Sequence, residues 1–180
     1  LENVLGPSTL NPDEIWNGWI LSDAVQQFDR GQCNVEHFAE TIVVELQLKG
    51  TTEAFIEWFV AFPQGLYPGA VDLVASVPDP VITGLLSNTS ALHWENQRDA
   101  VTIQGLCPRA YLSFELGLAK PDLDFFDHCV ADLGLPADQV LFIDDNQINV
   151  DGAHAAGLQA GLAKGPEAAL QVLREFAVIS

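Results

Sequence analysis

The sequence predicts an α/β fold: a parallel βαβ sheet with helices on both faces, preceded by an all-helical third. Three observations carry this reading. Beyond residue 66, short apolar runs alternate with helical stretches of about ten residues, as in successive βαβ units. The first third is aromatic-rich and helically spaced, without one convincing strand. Finally, Val140-Leu141-Phe142-Ile143 runs straight into Asp144-Asp145. Four apolar residues in a row read as a strand buried on both faces, and open parallel sheets collect their chemistry at the C-terminal ends of such strands.

Taken in order, Leu1 to Leu10 reads as loop, punctuated by Gly6-Pro7. Asn11 is a candidate N-cap with Pro12 in the first turn and acids following, and Ile15, Trp16, Trp19 and Ile20 recur at helical spacing. Phe28-Asp29-Arg30-Gly31 breaks that pattern. Asn34 caps a second helix carrying Phe38, Ile42 and Leu46 on one face, and Thr51 or Thr52 opens a third with Phe55, Ile56, Phe59 and Val60. We expect Trp16, Trp19, Trp58 and Phe59 to form the core of this region.

Past Pro63-Gln64-Gly65 the pattern changes. Pro68 to Val77 is a predicted helix and Val81 to Leu86 a strand. Ser90 to about Asp99 is a helix, and Ala110 to Phe114 a second strand. Pro121 to Leu133 is a helix, stopped by Gly134 and Pro136, and Val140 to Ile143 is the acid-tipped strand. Gln147 to Ala156 (helix), Leu158 to Leu162 (strand) and Pro166 to Phe176 (helix) complete the chain.

Composition narrows the function. At 180 residues, 48% hydrophobic, the chain is long enough for one domain with a small insertion and too apolar to be disordered. Seven Lys+Arg against 25 Asp+Glu give a net charge of −18, and no basic run appears. Such a surface repels nucleic acid and anionic membrane, and no apolar run is long enough to span a bilayer. Any anionic substrate must be held by a local cation. Three widely spaced cysteines without CxxC point to reduced thiols and a cytoplasmic setting. There is no Met, even at residue 1. We therefore expect a natural start upstream, or modified methionines omitted from the sequence.

Three strand ends concentrate chemistry. Val81 to Leu86 is followed by Ser87-Asn88-Thr89-Ser90, a hydroxyl and backbone N–H groups ahead of a helix, suited to holding an anion. Ser90 is equally a plain N-cap. Lys120-Pro121 follows the second strand by a short loop, although a lone Lys is ordinarily a solvated charge. Asp144 and Asp145, with Asn146 and Asn149 beyond, form a hard-oxygen set suited to Mg²⁺. Alternatively, Asp145 caps the next helix while Asp144 is solvated in a turn.

Together, hydroxyl, lysine and acidic pair on successive βα units resemble the haloacid dehalogenase superfamily. Leu85-Leu86-Ser87-Asn88-Thr89 is similar to its second motif and Gly117-Leu118-Ala119-Lys120-Pro121-Asp122 to its third. Leu141 through Ala153, with Asp144-Asp145, Asn149 and Gly152, is similar to its fourth. The resemblance implies a three-layer Rossmann-like core over residues 66–180, an inserted α-helical cap over 12–65, and a truncated start of the core over 1–11. It also implies a Mg²⁺-dependent phosphatase acting on a small phosphorylated metabolite, such as a sugar phosphate, through an aspartyl-phosphate. Asp145 would be a direct metal ligand. Asp144 would be a second ligand, or would orient a metal-bound water, with Asn149 behind. Lys120 would neutralise charge, while Ser87 and the Asn88 backbone bind the phosphoryl oxygens. No nucleophile motif precedes Leu10, so the resemblance places that Asp upstream of residue 1.

Rival readings differ in observable ways. A 2-haloacid dehalogenase shares the fold but lacks the acidic pair. A receiver domain carries its acids first rather than last. A catalytically dead binding or regulatory protein would keep the fold without the nucleophile. No GxGxxG or P-loop supports a dinucleotide or nucleotide site. Oligomeric state is not legible. His93-Trp94 can line a substrate pocket or simply pack, and His37, His128 and His154 lack metal-ligand spacing.

Overall fold

The computed structural model describes residues 8–97 and 99–180; the expected opening loop therefore lies largely outside the described residues. The chain begins with α1 (Pro12–Leu21), α2 (Asp23–Asp29), α3 (Val35–Glu45) and α4 (Thr52–Ala61), followed by α5 (Ala70–Ala75). Strand β1 (Gly84–Ser87) leads to α6 (Ala91–Asn96) and α7 (Ala100–Leu106). Strand β2 (Arg109–Leu112) passes directly into the one-turn helix α8 (Ser113–Leu116). The remainder runs α9 (Leu123–Leu133), β3 (Leu141–Asp144), α10 (Gln147–Ala155), β4 (Gln159–Leu162) and α11 (Pro166–Glu175).

Two compact units emerge. One comprises Leu1–Gln64, Asn88–Arg98 and Ser113–Gly117; the other comprises Gly65–Ser87, Asp99–Leu112 and Leu118–Ser180.

The first unit is helical because its sequence supplies both caps and an apolar stripe. The Asn11 side chain accepts from the Asp13 and Glu14 N–H groups while Glu14 reaches back to the Asn11 N–H, completing a capping box. Asn34 and Thr51 cap α3 and α4 as expected, and Ser22 starts a separate α2 that the sequence pattern did not resolve. Its core joins Ile15, Phe28, Phe38, Ile42, Leu46, Phe55 and Phe59, with Phe28 stacked on Phe38 at a centroid distance of 4.2 Å. Trp19 and Trp58 pack against this core. Trp16 does not: it is 51% exposed, because the buried face of α1 is centred on Ile15 and the next residue turns roughly 100° away.

The second unit is α/β. Strands β1 and β2 pair in parallel, Gly84 opposite Arg109 through Ser87 opposite Leu112. Strands β3 and β4 pair in parallel, Leu141 opposite Gln159 through Asp144 opposite Leu162. Side-chain alternation along β4 sets the layers. Ala160 joins Phe126, Phe142, Val150 and Ala153 beneath α9 and α10, whereas a Cβ on Gly161 would meet Val172 of α11 at 2.4 Å. Helices therefore cover both faces of the β3–β4 pair, one of two separate two-stranded parallel pairs among the described residues. Two strand expectations shift. Val81 and Ile82 lie outside β1 and are exposed, and Ser113 and Phe114 are helical rather than extended.

Candidate functional site

Three segments of the α/β unit converge on one ammonium group. Lys120 precedes α9 across a cis Lys120–Pro121 bond, and its Nζ donates to the Leu86 carbonyl of β1 at 3.0 Å and to Asp144 Oδ2 of β3 at 2.7 Å. The pair is nearly buried, with side-chain exposures of 9% and 8%. Nζ also lies 5.4 Å from the centre of the Phe142 ring. Burial, the largest single influence, pushes the Asp144 carboxyl up, and the Lys120 charge opposes it. Together with hydrogen bonds from Lys120, Asn149 Nδ2 and the Asn146 N–H, that charge holds Asp144 below the usual carboxylate range. Asp144 is therefore a fixed anion at neutral pH.

The end of β3 is organised from α10. Asn146 is the N-cap, its side chain accepting from the Ile148 N–H, so the capping role weighed for Asp145 belongs to the next residue. Asp145 is exposed beside it. Asn149, one turn into α10, reaches Asp144 Oδ1 at 3.0 Å. Further along, a Cβ on Gly152 would meet the Pro121 carbonyl at 2.6 Å. One helix therefore touches both members of the ion pair, Asp144 directly and Lys120 through Pro121.

The structure thus brings Lys120 and Asp144 together, with Leu86, the residue before Ser87, on the same ammonium. Ser87 ends β1, partly buried opposite Leu112. Asn88 follows in the other unit and is exposed. There, the Thr89 N–H and carbonyl are both engaged by the hydroxyl of Ser113, and Ser90 caps α6 through the His93 N–H. His93 stacks on Phe59 at 4.0 Å, with Nε2 at 2.7 Å from the Phe59 carbonyl, so its ring is engaged in packing. His37, His128 and His154 are exposed. The Leu86 carbonyl and Ser113 had no sequence signal beyond their places at strand ends.

Whether Mg²⁺ suits these residues turns on the donor set. Among the described residues no group of three or more His, Cys, Asp or Glu side chains is assembled for a metal. Mg²⁺ keeps several waters and is commonly held by one or two carboxylates plus phosphate oxygens. The exposed Asp145 carboxylate and the fixed Asp144 are donors of that kind. Among the described residues, no helix is long and apolar enough to cross a membrane.

The chain is similar to several known proteins. D-ribitol-5-phosphate phosphatase of Bacteroides thetaiotaomicron is 24% identical over 135 residues, covering 69% of this chain and 64% of that protein. A drimenol cyclase of Aspergillus calidoustus is 37% identical over 57 residues, 32% of this chain and 11% of that protein. The chain thus spans less than two thirds of the length of either curated relative. In structure, the magnesium complex of a HAD family enzyme from Bacteroides thetaiotaomicron superposes with a TM-score of 0.71 at 21% identity, over 92% of this chain and 91% of that one. Residues 11–157 match the haloacid dehalogenase-like hydrolase family, and with the α/β core and strand-end site in place, the chain belongs to that family.

Proposed function

We propose that this hydrolase is a Mg²⁺-dependent phosphatase acting on a small phosphomonoester, with a sugar or polyol phosphate as its class of substrate. The observation that carries the proposal is Lys120, a buried cation spanning the C-terminal ends of β1 and β3 in a chain of net charge −18. A dianionic phosphate approaching a chain of this net charge meets net repulsion, so a fixed local cation has the most to contribute there. The phosphatase activity of the Bacteroides relative supports the same class.

In this reading the Lys120 ammonium binds and neutralises phosphoryl oxygens, worth several kcal/mol where water is excluded. The Ser87 hydroxyl and the Asn88 N–H donate to the same oxygens. Asp145 and Asp144 would hold Mg²⁺, which when bound supplies further neutralisation of the phosphoryl charge. The nucleophile in this reading is the Asp that the family resemblance implies. The carboxylate attacks phosphorus, the ester P–O bond breaks and the alcohol leaves; water then hydrolyses the aspartyl-phosphate.

A substrate panel tests this reading. Full-length protein incubated with sugar phosphates, polyol phosphates and 2-chloropropionate should release inorganic phosphate from members of the first two groups and no chloride from the third. Chloride release without phosphate release would replace the phosphatase reading with a dehalogenase.

A further inference from the structure

We infer that Ser113 is a positioning residue for the loop from Ser87 to Ser90, and that phosphate affinity depends on it. The inference rests on the phosphatase reading for what that loop binds. The contact itself is independent of it.

Ser113 is fully buried, at 0% exposure, in the first position of α8, directly after β2. Its hydroxyl donates to the Thr89 carbonyl at 2.9 Å and accepts from the Thr89 N–H at 2.9 Å. A serine hydroxyl has one donor and two acceptor positions, so one side chain satisfies both backbone groups of a residue 24 positions away. The sheet explains why a side chain is needed. The parallel ladder between β1 and β2 stops at Ser87 opposite Leu112. One residue later the second strand turns into a helix and its backbone leaves the ladder. Ser113 then takes over, offering the donor and acceptor that a continuing strand would have supplied.

The consequence falls on the peptide planes. The N–H bond fixes the Asn88–Thr89 peptide and the C=O bond fixes the Thr89–Ser90 peptide. Ser90, itself 2% exposed, is held next by its cap on α6. The loop is thus pinned at Ser87 by the ladder, at Thr89 by Ser113 and at Ser90 by the cap. Its donors are set in advance of any ligand, which removes the ordering cost that a free loop would incur on binding an anion. Ser113 touches no substrate in this account; it acts through Thr89.

The test compares Ser113→Ala and Ser113→Thr with wild type in the full-length protein, using inorganic phosphate as inhibitor and p-nitrophenyl phosphate as substrate. Losing the two hydrogen bonds should raise the phosphate inhibition constant and KM roughly 10-fold in Ser113→Ala. The Mg²⁺ concentration for half-maximal activity should stay unchanged, and Ser113→Thr, which keeps the hydroxyl, should recover most of the affinity. The Thr89 amide should be protected from hydrogen exchange in wild type and lose that protection in Ser113→Ala. Phosphate affinity unchanged in a folded Ser113→Ala, or phosphate and Mg²⁺ responses weakened in parallel, would overturn the inference. Should Ser113→Ala not fold, wild-type exchange decides: an unprotected Thr89 amide overturns the contact. A wild-type protein that neither hydrolyses nor binds phosphate, yet protects Thr89, would defeat the phosphatase reading and the affinity claim, leaving the contact standing.

Discussion

Lys120 and Asp144 show how one charge pair can be both costly and useful. Two ions at below a tenth exposure forgo most of their hydration, and close contact with extra hydrogen bonds offsets that loss. Asn149, the Asn146 N–H and the Leu86 carbonyl supply those bonds. Elsewhere a carboxyl lacks such support. Burial raises Asp29, at the end of α2, from 3.8 to about 6, only partly offset by the adjacent Arg30 charge. Folded Asp29 therefore holds its proton to higher pH than the unfolded chain does. Its contribution to stability is complete below the unfolded value of 3.8 and is lost as pH rises through about 6. Asp29→Asn should raise Tm relative to wild type at about pH 7.5 and leave it nearly unchanged at about pH 4. Paired thermal melts at the two pH values check this. His93 has the opposite slope. Burial lowers it despite the Phe59 carbonyl, so its contribution holds above 6.5 and fades as pH falls through its lowered folded value. The mutant-minus-wild-type difference isolates Asp29 from that background.

Among elements, α10 does the most to shape the site. Its first turn holds Asp144 through Asn149, and at Gly152 it lies so close to Pro121 that any Cβ must displace backbone. Gly152→Val should therefore push the Lys120–Pro121 segment away from β3, lowering kcat on p-nitrophenyl phosphate roughly 10²-fold by misplacing the cation. Steady-state kinetics beside a circular-dichroism melt would check it, the melt showing the helices retained. The same elements show what sequence pattern can and cannot reveal. Strand β3 was legible because four consecutive apolar residues precede two acids. Helices α1, α3 and α4 were legible because Asn11, Asn34 and Thr51 carry their own capping acceptors. The strand expected over Ala110 to Phe114 ran too long because a single Ser in an otherwise apolar run gives no cue for where extension ends. What ends it is a contact from Ser113 to Thr89, far away in the chain. The places of Ser87 and Asp144 at strand ends were legible in the sequence, and the Lys120–Asp144 contact joins two of the candidate residues. The Leu86 carbonyl was not legible, because a backbone acceptor leaves no mark on residue type. Trp16 misled because aromatic size suggested burial where helix phase put it outside.

For the whole molecule, two cores of different character serve one chain. The aromatic cluster from Ile15 to Phe59 sits in a helical unit, and the Phe126–Phe142–Val150 cluster underlies the parallel strands that carry the site. The chain carries a net charge of −18, and Lys120 places a buried cation beside Asp144 at the strand ends. The proposed phosphomonoester hydrolysis requires Mg²⁺ held at Asp144 and Asp145. The most direct measurement is phosphate release from p-nitrophenyl phosphate by the full-length protein, with Mg²⁺, with EDTA, and with Asp145→Asn. Expected are turnover in Mg²⁺, loss in EDTA with recovery on adding the metal back, and loss in a folded Asp145→Asn. Undiminished turnover in EDTA would contradict the proposal.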